Sequence, residues 1–290
     1  MANPTIEKAL TVDEVIVFKD LVSPHFNPKW HFHPEYQISM ILDGHGMRYI
    51  GDHVGAFETG DLVFTGPNVP HLWRSDAKYF EEGSSLLTHG MVLYFDEGLL
   101  QGLLSGKERF NKIDRLLKNA MRGIHYSGEA RDAIRDKMKA FDGLEGFARV
   151  VHLFELLDFM SRIPDFKLLA GSGYKNTLKG SDAQRMEIVH DYVSEHFHEE
   201  VSVSEVAELL HMTPSSFCRY FKPRANKTFG QFVTDIRIGH AKKLLVEDDM
   251  GIAQISFECG FNALSNFNKQ FKNVTGKRPS EYRKLYQGLA

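Results

Sequence analysis

The stretch IAQISFECGFNALSNFNKQFKNVTGKRPSEYR, Ile252 to Arg283, is where the organisation of this chain becomes readable. Ile252, Ile255, Phe257 and Cys259 describe a short helix, Gly260 a sharp turn, and Phe267 and Phe271 one face of a second helix. Gly260 supplies a backbone conformation that most residues avoid, and Asn262 is a good cap for the helix that follows. Pro279 with Ser280 opens a last short helix, since proline is tolerated at the first helical position. Two helices joined by a short turn containing glycine form a helix-turn-helix, whose second helix enters the DNA major groove.

Upstream lies a second copy. Pro214 to Lys222 reads PSSFCRYFK and Leu264 to Lys272 reads LSNFNKQFK. Ser215 matches Ser265, Phe217 Phe267, Arg219 Lys269, Phe221 Phe271 and Lys222 Lys272. Phenylalanines four apart share one helical face, and the serines and basic residues lie on the other. A chain that repeats both faces carries two copies of one device.

On Ile255, Cys259, Gly260, Phe261, Phe267, Phe271, Lys272, Gly276, Pro279, Tyr282 and Arg283, residues 182–290 resemble the C-terminal domain of the AraC/XylS family of bacterial transcription regulators. The resemblance implies an all-α domain with two helix-turn-helix units joined by a long helix. One departure is Ser256, where the family usually has alanine. That change is tolerable unless the hydroxyl is buried without a partner.

Charge agrees with this reading once it is mapped. The net charge of the 290 residues is −3, yet from His211 onward thirteen Lys and Arg face six Asp and Glu. A basic end on an acidic chain is the footprint of a phosphate-binding module attached to something else. Composition is that of an ordinary soluble protein, at 42% hydrophobic and 25% charged. No apolar run is long enough to span a bilayer, and no signal-peptide core opens the chain. The expectation is a cytoplasmic protein whose two cysteines, Cys218 and Cys259, stay reduced.

Residues 12–95 read as β, within an expected ligand-sensing domain of residues 1–95. Short apolar stretches (Val15–Phe18, Gln37–Leu42, Met47–Ile50, Leu62–Phe64, Met91–Phe95) alternate with turn material, which predicts a sandwich or barrel. The runs HFHPEYQ (His31–Gln37) and TGDLVFTGPNVPHLW (Thr59–Trp73) resemble the two motifs of the cupin barrel, the usual sensor domain of AraC-type regulators. The implied fold is a cupin-like jelly-roll β-barrel. Cupin enzymes hold a metal with two histidines, a glutamate and a later histidine, which here correspond to His31, His33, Glu35 or Gln37, and His71. Glu35 lies unusually near His33, and Gln37, a weaker ligand, stands where a carboxylate is more usual. A metal site, a small-ligand pocket and purely structural histidines remain open alternatives. Sensor versions of the fold generally lack a metal. The expectation is therefore a ligand pocket of Trp30, His31, His33, Gln37, His71 and Trp73, with no catalytic residue, metal ligand or cofactor.

From 96 to 163 the period becomes helical. Leu99, Leu103, Phe110, Ile113, Leu116 and Leu117 recur at three- and four-residue steps, as do Val150, Leu153, Leu156, Leu157 and Met160. In the resembled family such a segment commonly makes a dimer contact; helices that merely pad the barrel would look the same. Residues 164–181 read as a linker by their Gly, Ser, Asn and Pro.

The chain is thus expected to be a DNA-binding regulator, an activator on family grounds rather than an enzyme. Its expected partners are promoter DNA, RNA polymerase, a second copy of itself and a small-molecule effector, a sugar being common in the family; no membrane contact is expected. Base contacts are expected from Ser215, Ser216, Cys218 and Arg219 in the first recognition helix and Ser265, Asn266, Asn268 and Lys269 in the second. Lys222, Lys272, Lys277 and Arg278 are expected to meet phosphate. The alternatives are a metal-dependent cupin enzyme with an appended DNA-binding domain and a constitutive DNA-binding protein whose barrel is only an assembly module.

Overall fold

Short runs rich in Val, Ile, Tyr and Phe form the strands of the N-terminal region. The computed structural model describes residues 10, 14–100, 108–174, 180–247 and 249–286. The chain divides into Met1–His53 with Phe57–Asn176, and Thr177–Ala290 with the three residues Val54–Ala56.

In the first unit, strands β1 (Ile16–Ser23), β2 (Tyr36–Asp43), β5 (Leu62–Thr65), β7 (Thr88–Phe95), β8 (Ile124–Tyr126) and β9 (Lys167–Leu168) form one sheet in the order β1-β7-β2-β5-β8-β9. Strands β3 (Gly46–Ile50), β4 (His53–Phe57) and β6 (His71–Ser75) form a second, in the order β4-β3-β6. The predicted closed barrel is not what forms. A barrel needs every strand edge paired in one continuous ladder. Here β5, paired on one side with β2, gives its other edge to β8, with Leu62 opposite Tyr126 and Phe64 opposite Ile124. That extends the large sheet outward instead of closing it. Strand β8 comes from the segment read as helical, where the leucine period hid it.

Alternation gives the large sheet two unlike faces. On one, Ile38, Met40, Leu62, Phe64, Met91, Leu93 and Phe95 join a core with helices α1 (Asn111–Ala120), α2 (Gly128–Lys139) and α3 (Gly146–Arg162). Ile113, Leu116, Leu117, Leu153, Leu156, Leu157 and Met160 are the helical side of that core. The expected Leu103 lies outside the described residues. On the other face Ile41 and Val63 meet Ile50, Val69 and Trp73, while Gln37, Ser39 and Thr65 are polar and almost fully buried.

A buried ion pair crosses this interior. Arg48 on β3 meets Asp61, whose second partner is His125 Nε2 on β8 at 3.2 Å, with Trp73 Nε1 donating to it from 3.5 Å. Burial pushes the Asp61 carboxyl upward, but Arg48 and then His125 prevail and hold it down at about 2.

The second unit is helical: α4 (Gly180–His196), α5 (Val203–Leu209), α6 (Pro214–Ala225), α7 (Phe229–Glu247), α8 (Ile252–Glu258), α9 (Leu264–Thr275) and α10 (Pro279–Tyr286). Thr213 accepts a bond from Ser216 N at 3.3 Å, with Pro214 opening α6. Thr228 and Gln231 cap α7 reciprocally, Thr228 N donating to Gln231 Oε1 at 2.9 Å and Gln231 N to Thr228 Oγ1 at 3.3 Å. The Asn262 cap does not form; Ala263 occupies the N-cap of α9 with no side-chain bond.

Both turns are built alike. His211 has φ 55° and Gly260 φ 76°, and the next amide in each donates backward, Met212 N to Ala207 O at 2.8 Å and Phe261 N to Ser256 O at 3.0 Å. A Cβ on Gly260 would stand 2.4 Å from Phe197 O, so only glycine fits there. Ala207 and Ser256 hold equivalent places and both are fully buried. The Ser256 hydroxyl finds no hydrogen-bond partner there.

Two outcomes follow from these contacts. Ser256→Ala, which relieves an unpaired buried hydroxyl, is expected to stabilise the C-terminal unit by about 1 kcal/mol; an unchanged midpoint in urea unfolding would show that the hydroxyl is satisfied. Asp61→Asn strands Arg48 in the interior and is expected to cost about 3 kcal/mol at neutral pH. Since the folded pKa of Asp61 is depressed, its contribution is complete above the unfolded value and lost as pH falls. The gap between wild type and variant should therefore narrow from about pH 4 toward 2; a pH-independent gap would contradict the pairing.

Candidate functional site

Two sets of residues stand out, one in each unit. In the C-terminal unit the phenylalanine pairs fix how the recognition helices present themselves. Phe217 and Phe221 are fully buried and pack on Phe229 at ring distances of 5.2 and 5.5 Å. Phe267 and Phe271 are also fully buried, with Ile238, Ala241, Leu245, Ile255 and Phe261. Each fully buried Phe is worth roughly 1.5–3 kcal/mol, which sets the roll of each helix firmly.

The opposite faces are open. Ser215, Cys218, Arg219 and Lys222 on α6 are exposed, as are Ser265, Asn266, Asn268, Lys269 and Lys272 on α9 and Lys277 and Arg278 beyond it. Ser216 is only half-exposed and is engaged with Thr213, whose hydroxyl donates to Ser216 Oγ at 3.0 Å. Asn268, Lys269, Lys272, Arg278 and Ser280 line one cleft of about 530 Å³ beside the start of α10. A helix N-terminus with basic side chains around it is a ready anion site. Arg237, on the long helix α7 between the two helix-turn-helix motifs, serves the scaffold instead, donating to Phe197 O at 2.7 Å and Glu199 O at 2.6 Å.

In the N-terminal unit, His31, His33 and His71 come together, with a ring nitrogen from each lying within 4.8 Å of the others. His33 and His71 are almost fully buried and His31 is partly exposed. Strand β6 carries His71, and a bridge between His31 and His71 brings the first motif alongside it. Each ring is oriented by its Nδ1. His31 Nδ1 lies 2.8 Å from Lys29 O, His71 Nδ1 2.7 Å from Val69 O, and His33 Nδ1 3.3 Å from Glu35 Oε2. Carbonyl acceptors at Nδ1 of His31 and His71 select the tautomer protonated there and leave their Nε2 lone pairs for other use, while His33 Nδ1 neighbours the Glu35 carboxylate at ion-pair distance. Burial first, then His31 and His33, hold the His71 imidazole well below its usual range, so it stays neutral.

Gln37 completes the cluster. Its Oε1 is 2.8 Å from His33 Nε2 and 3.0 Å from His71 Nε2, and its Nε2 donates to Ser39 Oγ at 2.5 Å. A carbonyl oxygen facing the His71 Nε2 lone pair is repulsive unless a cation sits between them. With the amide turned over, its NH2 serves both rings and the Ser39 hydroxyl donates to the carbonyl. The hydroxyl suits either orientation. The donor set, three imidazoles and an amide oxygen, fits a divalent transition metal. Of the two residues left open as the fourth ligand, Gln37 joins the rings and Glu35 sits behind His33 as an orienting carboxylate.

The expectation that this chain offers no metal ligands and no enzyme-like centre is therefore corrected: a buried three-histidine cluster is a potential metal-binding site of the enzyme type. Of the other expected pocket residues, Trp73 stands 5.7 Å from the His71 ring and Trp30 is buried. Ser39 was missed. The Tyr94 ring is 5.4 Å from that of His33, and Tyr94 pairs with Gln37 across the sheet. Period-two spacing from Gln37 would have found Ser39.

Residues 206–285 match the model of a helix-turn-helix domain, and residues 21–78 that of a cupin domain. Over 262 residues, 88% of this chain and 86% of the relative, the chain is 23% identical to the uncharacterized HTH-type transcriptional regulator YdeC of Bacillus subtilis. An uncharacterized HTH-type transcriptional regulator of Staphylococcus aureus is 35% identical over 95 residues, which are 33% of this chain and only 13% of that one. Among solved structures, the DNA-binding domain of AdpA in complex with a target DNA covers 36% of this chain and 94% of its own, at 26% identity and TM-score 0.34. ToxT from Vibrio cholerae with an unsaturated fatty acid bound covers 96% and 98%, at 15% identity and TM-score 0.37. No helix among the described residues is long and apolar enough to cross a membrane. The chain joins a cupin domain to a DNA-binding helix-turn-helix domain and is similar to HTH-type transcriptional regulators.

Proposed function

We propose that this protein is a sequence-specific transcription activator of the AraC/XylS type, working as a cytoplasmic homodimer whose cupin domain responds to a small molecule. The observation that carries the reading is the pair of exposed polar and basic helix faces, each set on two fully buried phenylalanines. Arg219, Lys269, Asn266 and Asn268 have the chemistry to read base edges, guanine by the cations and adenine by the amides. Ser215, Ser265 and Cys218 flank them, and Ser216 serves the cap as well as the groove. Lys222, Lys272, Lys277 and Arg278 meet phosphate and make affinity salt-dependent. Effector binding favours one arrangement of the domains over another and so alters engagement with promoter and RNA polymerase.

A second reading, metal-dependent chemistry in the cupin domain, is supported by the ring nitrogens of His31, His33 and His71, which lie within 4.8 Å of one another. His31, His33, His71 and the Gln37 carbonyl would hold the ion, which would supply Lewis-acid chemistry. Lys29 O, Val69 O and Glu35 keep the rings in register for it.

Selection of bound duplexes from a random pool tests the first reading. Wild type is expected to enrich two short boxes about one helical turn apart, with Arg219→Ala and Lys269→Ala each relaxing a different box by roughly 1–3 kcal/mol. No enrichment, or variants that select as wild type does, would overturn it. For the second, metal analysis of purified protein should find stoichiometric transition metal, lost in both His31→Ala and His71→Ala. Protein that neither carries nor takes up such an ion ends that reading.

A further inference from the structure

We propose that the histidine cluster binds a divalent transition-metal ion together with an anionic oxygen ligand, a carboxylate, and that Gln37 is the residue that makes this second ligand necessary. The proposal rests on the metal reading of the cluster and goes beyond it by naming the class of effector.

The argument is one of charge. The protein donors, one ring nitrogen each from His31, His33 and His71 together with Gln37 Oε1, carry no charge when they hold an ion. A doubly charged ion held by them keeps its full charge in an interior where His33, Gln37 and His71 are each almost fully buried. An uncompensated buried charge is costly and is stable only when paired. The nearby charges do not supply the pairing. Asp61 is already committed to Arg48 and His125. Glu35 lies on the far side of the His33 ring, against Nδ1, and offsets at most one charge at a distance.

Access agrees. His31 is partly exposed while its two companions are not, so the cluster opens on its side. Tyr94 and Trp73 pack edgewise on His33 and His71. A carboxylate suits the ion as a hard oxygen donor. The neutral donor set also explains how the cluster persists unloaded: the Gln37 amide turns over and donates to both rings, which a carboxylate at that position could not do.

The test uses the full-length protein, stripped with a chelator and titrated with Co2+, whose visible spectrum reports its ligands, and then with acetate. One Co2+ per chain and a saturable change of its absorption with acetate are expected. Gln37→Glu supplies the missing charge and should tighten Co2+ while weakening acetate, each by about tenfold or more. Glu35→Gln removes the remote charge and should strengthen acetate binding, which keeps the proposal testable if the first variant misfolds. Absence of Co2+ binding would end the metal reading and this inference with it. Co2+ bound with a spectrum indifferent to acetate, or acetate affinity unchanged in the variants, would overturn this inference alone.

Discussion

The constraint on which the N-terminal unit depends is the period of two along β2. Successive side chains leave a strand on opposite faces, so Ile38 and Met40 enter the helix-backed core while Gln37 and Ser39 enter the space facing the smaller sheet. With one face sealed by three helices, the strand cannot slip by a residue without exchanging both sets. The apolar side thereby pins the polar side. The position of Gln37 between His33 and His71 is held by hydrophobic burial on the face it does not touch.

The same logic runs through the helical unit with a different period. Phenylalanines four apart are driven inward, and whatever lies between them faces out. This is why the two recognition helices were legible: a repeat of both apolar and polar faces appears directly in the letters. The Thr213 and Thr228 caps follow a related logic, since a hydroxyl one residue before a helical run satisfies amides that nothing else can reach. Asn262 failed because a cap is decided by backbone direction, and the chain turns one residue later, at Ala263.

What escaped the sequence is mostly what depends on partners far along the chain. Alternation says which face of a strand is buried; it does not say which edge is paired, so a barrel and two sheets look alike until β8 takes the free edge of β5. Three residues are too few to interrupt a leucine period. The fourth member of the histidine cluster was left between Glu35 and Gln37 because both lie an even number of residues from His33. Only the bend of the chain into β2 separates them, turning one toward Nδ1 and the other toward Nε2. Ser216 looked free for the groove because a serine in the first turn of a helix has two uses, and the letters do not say which prevails.

The long helix α7 has a consequence of its own. Its first half packs with the first recognition helix through Phe229 and Phe232, and its second half with the other through Ile238, Ala241 and Leu245. It is a ruler and a protractor in one piece. One residue inserted near its middle would advance the second reader by only about 1.5 Å but swing it by about 100°. The axial offset of the two helices and their relative rotation are therefore locked together. A single substitution can alter what either helix presents, but only an insertion or deletion in α7 alters the gap between them.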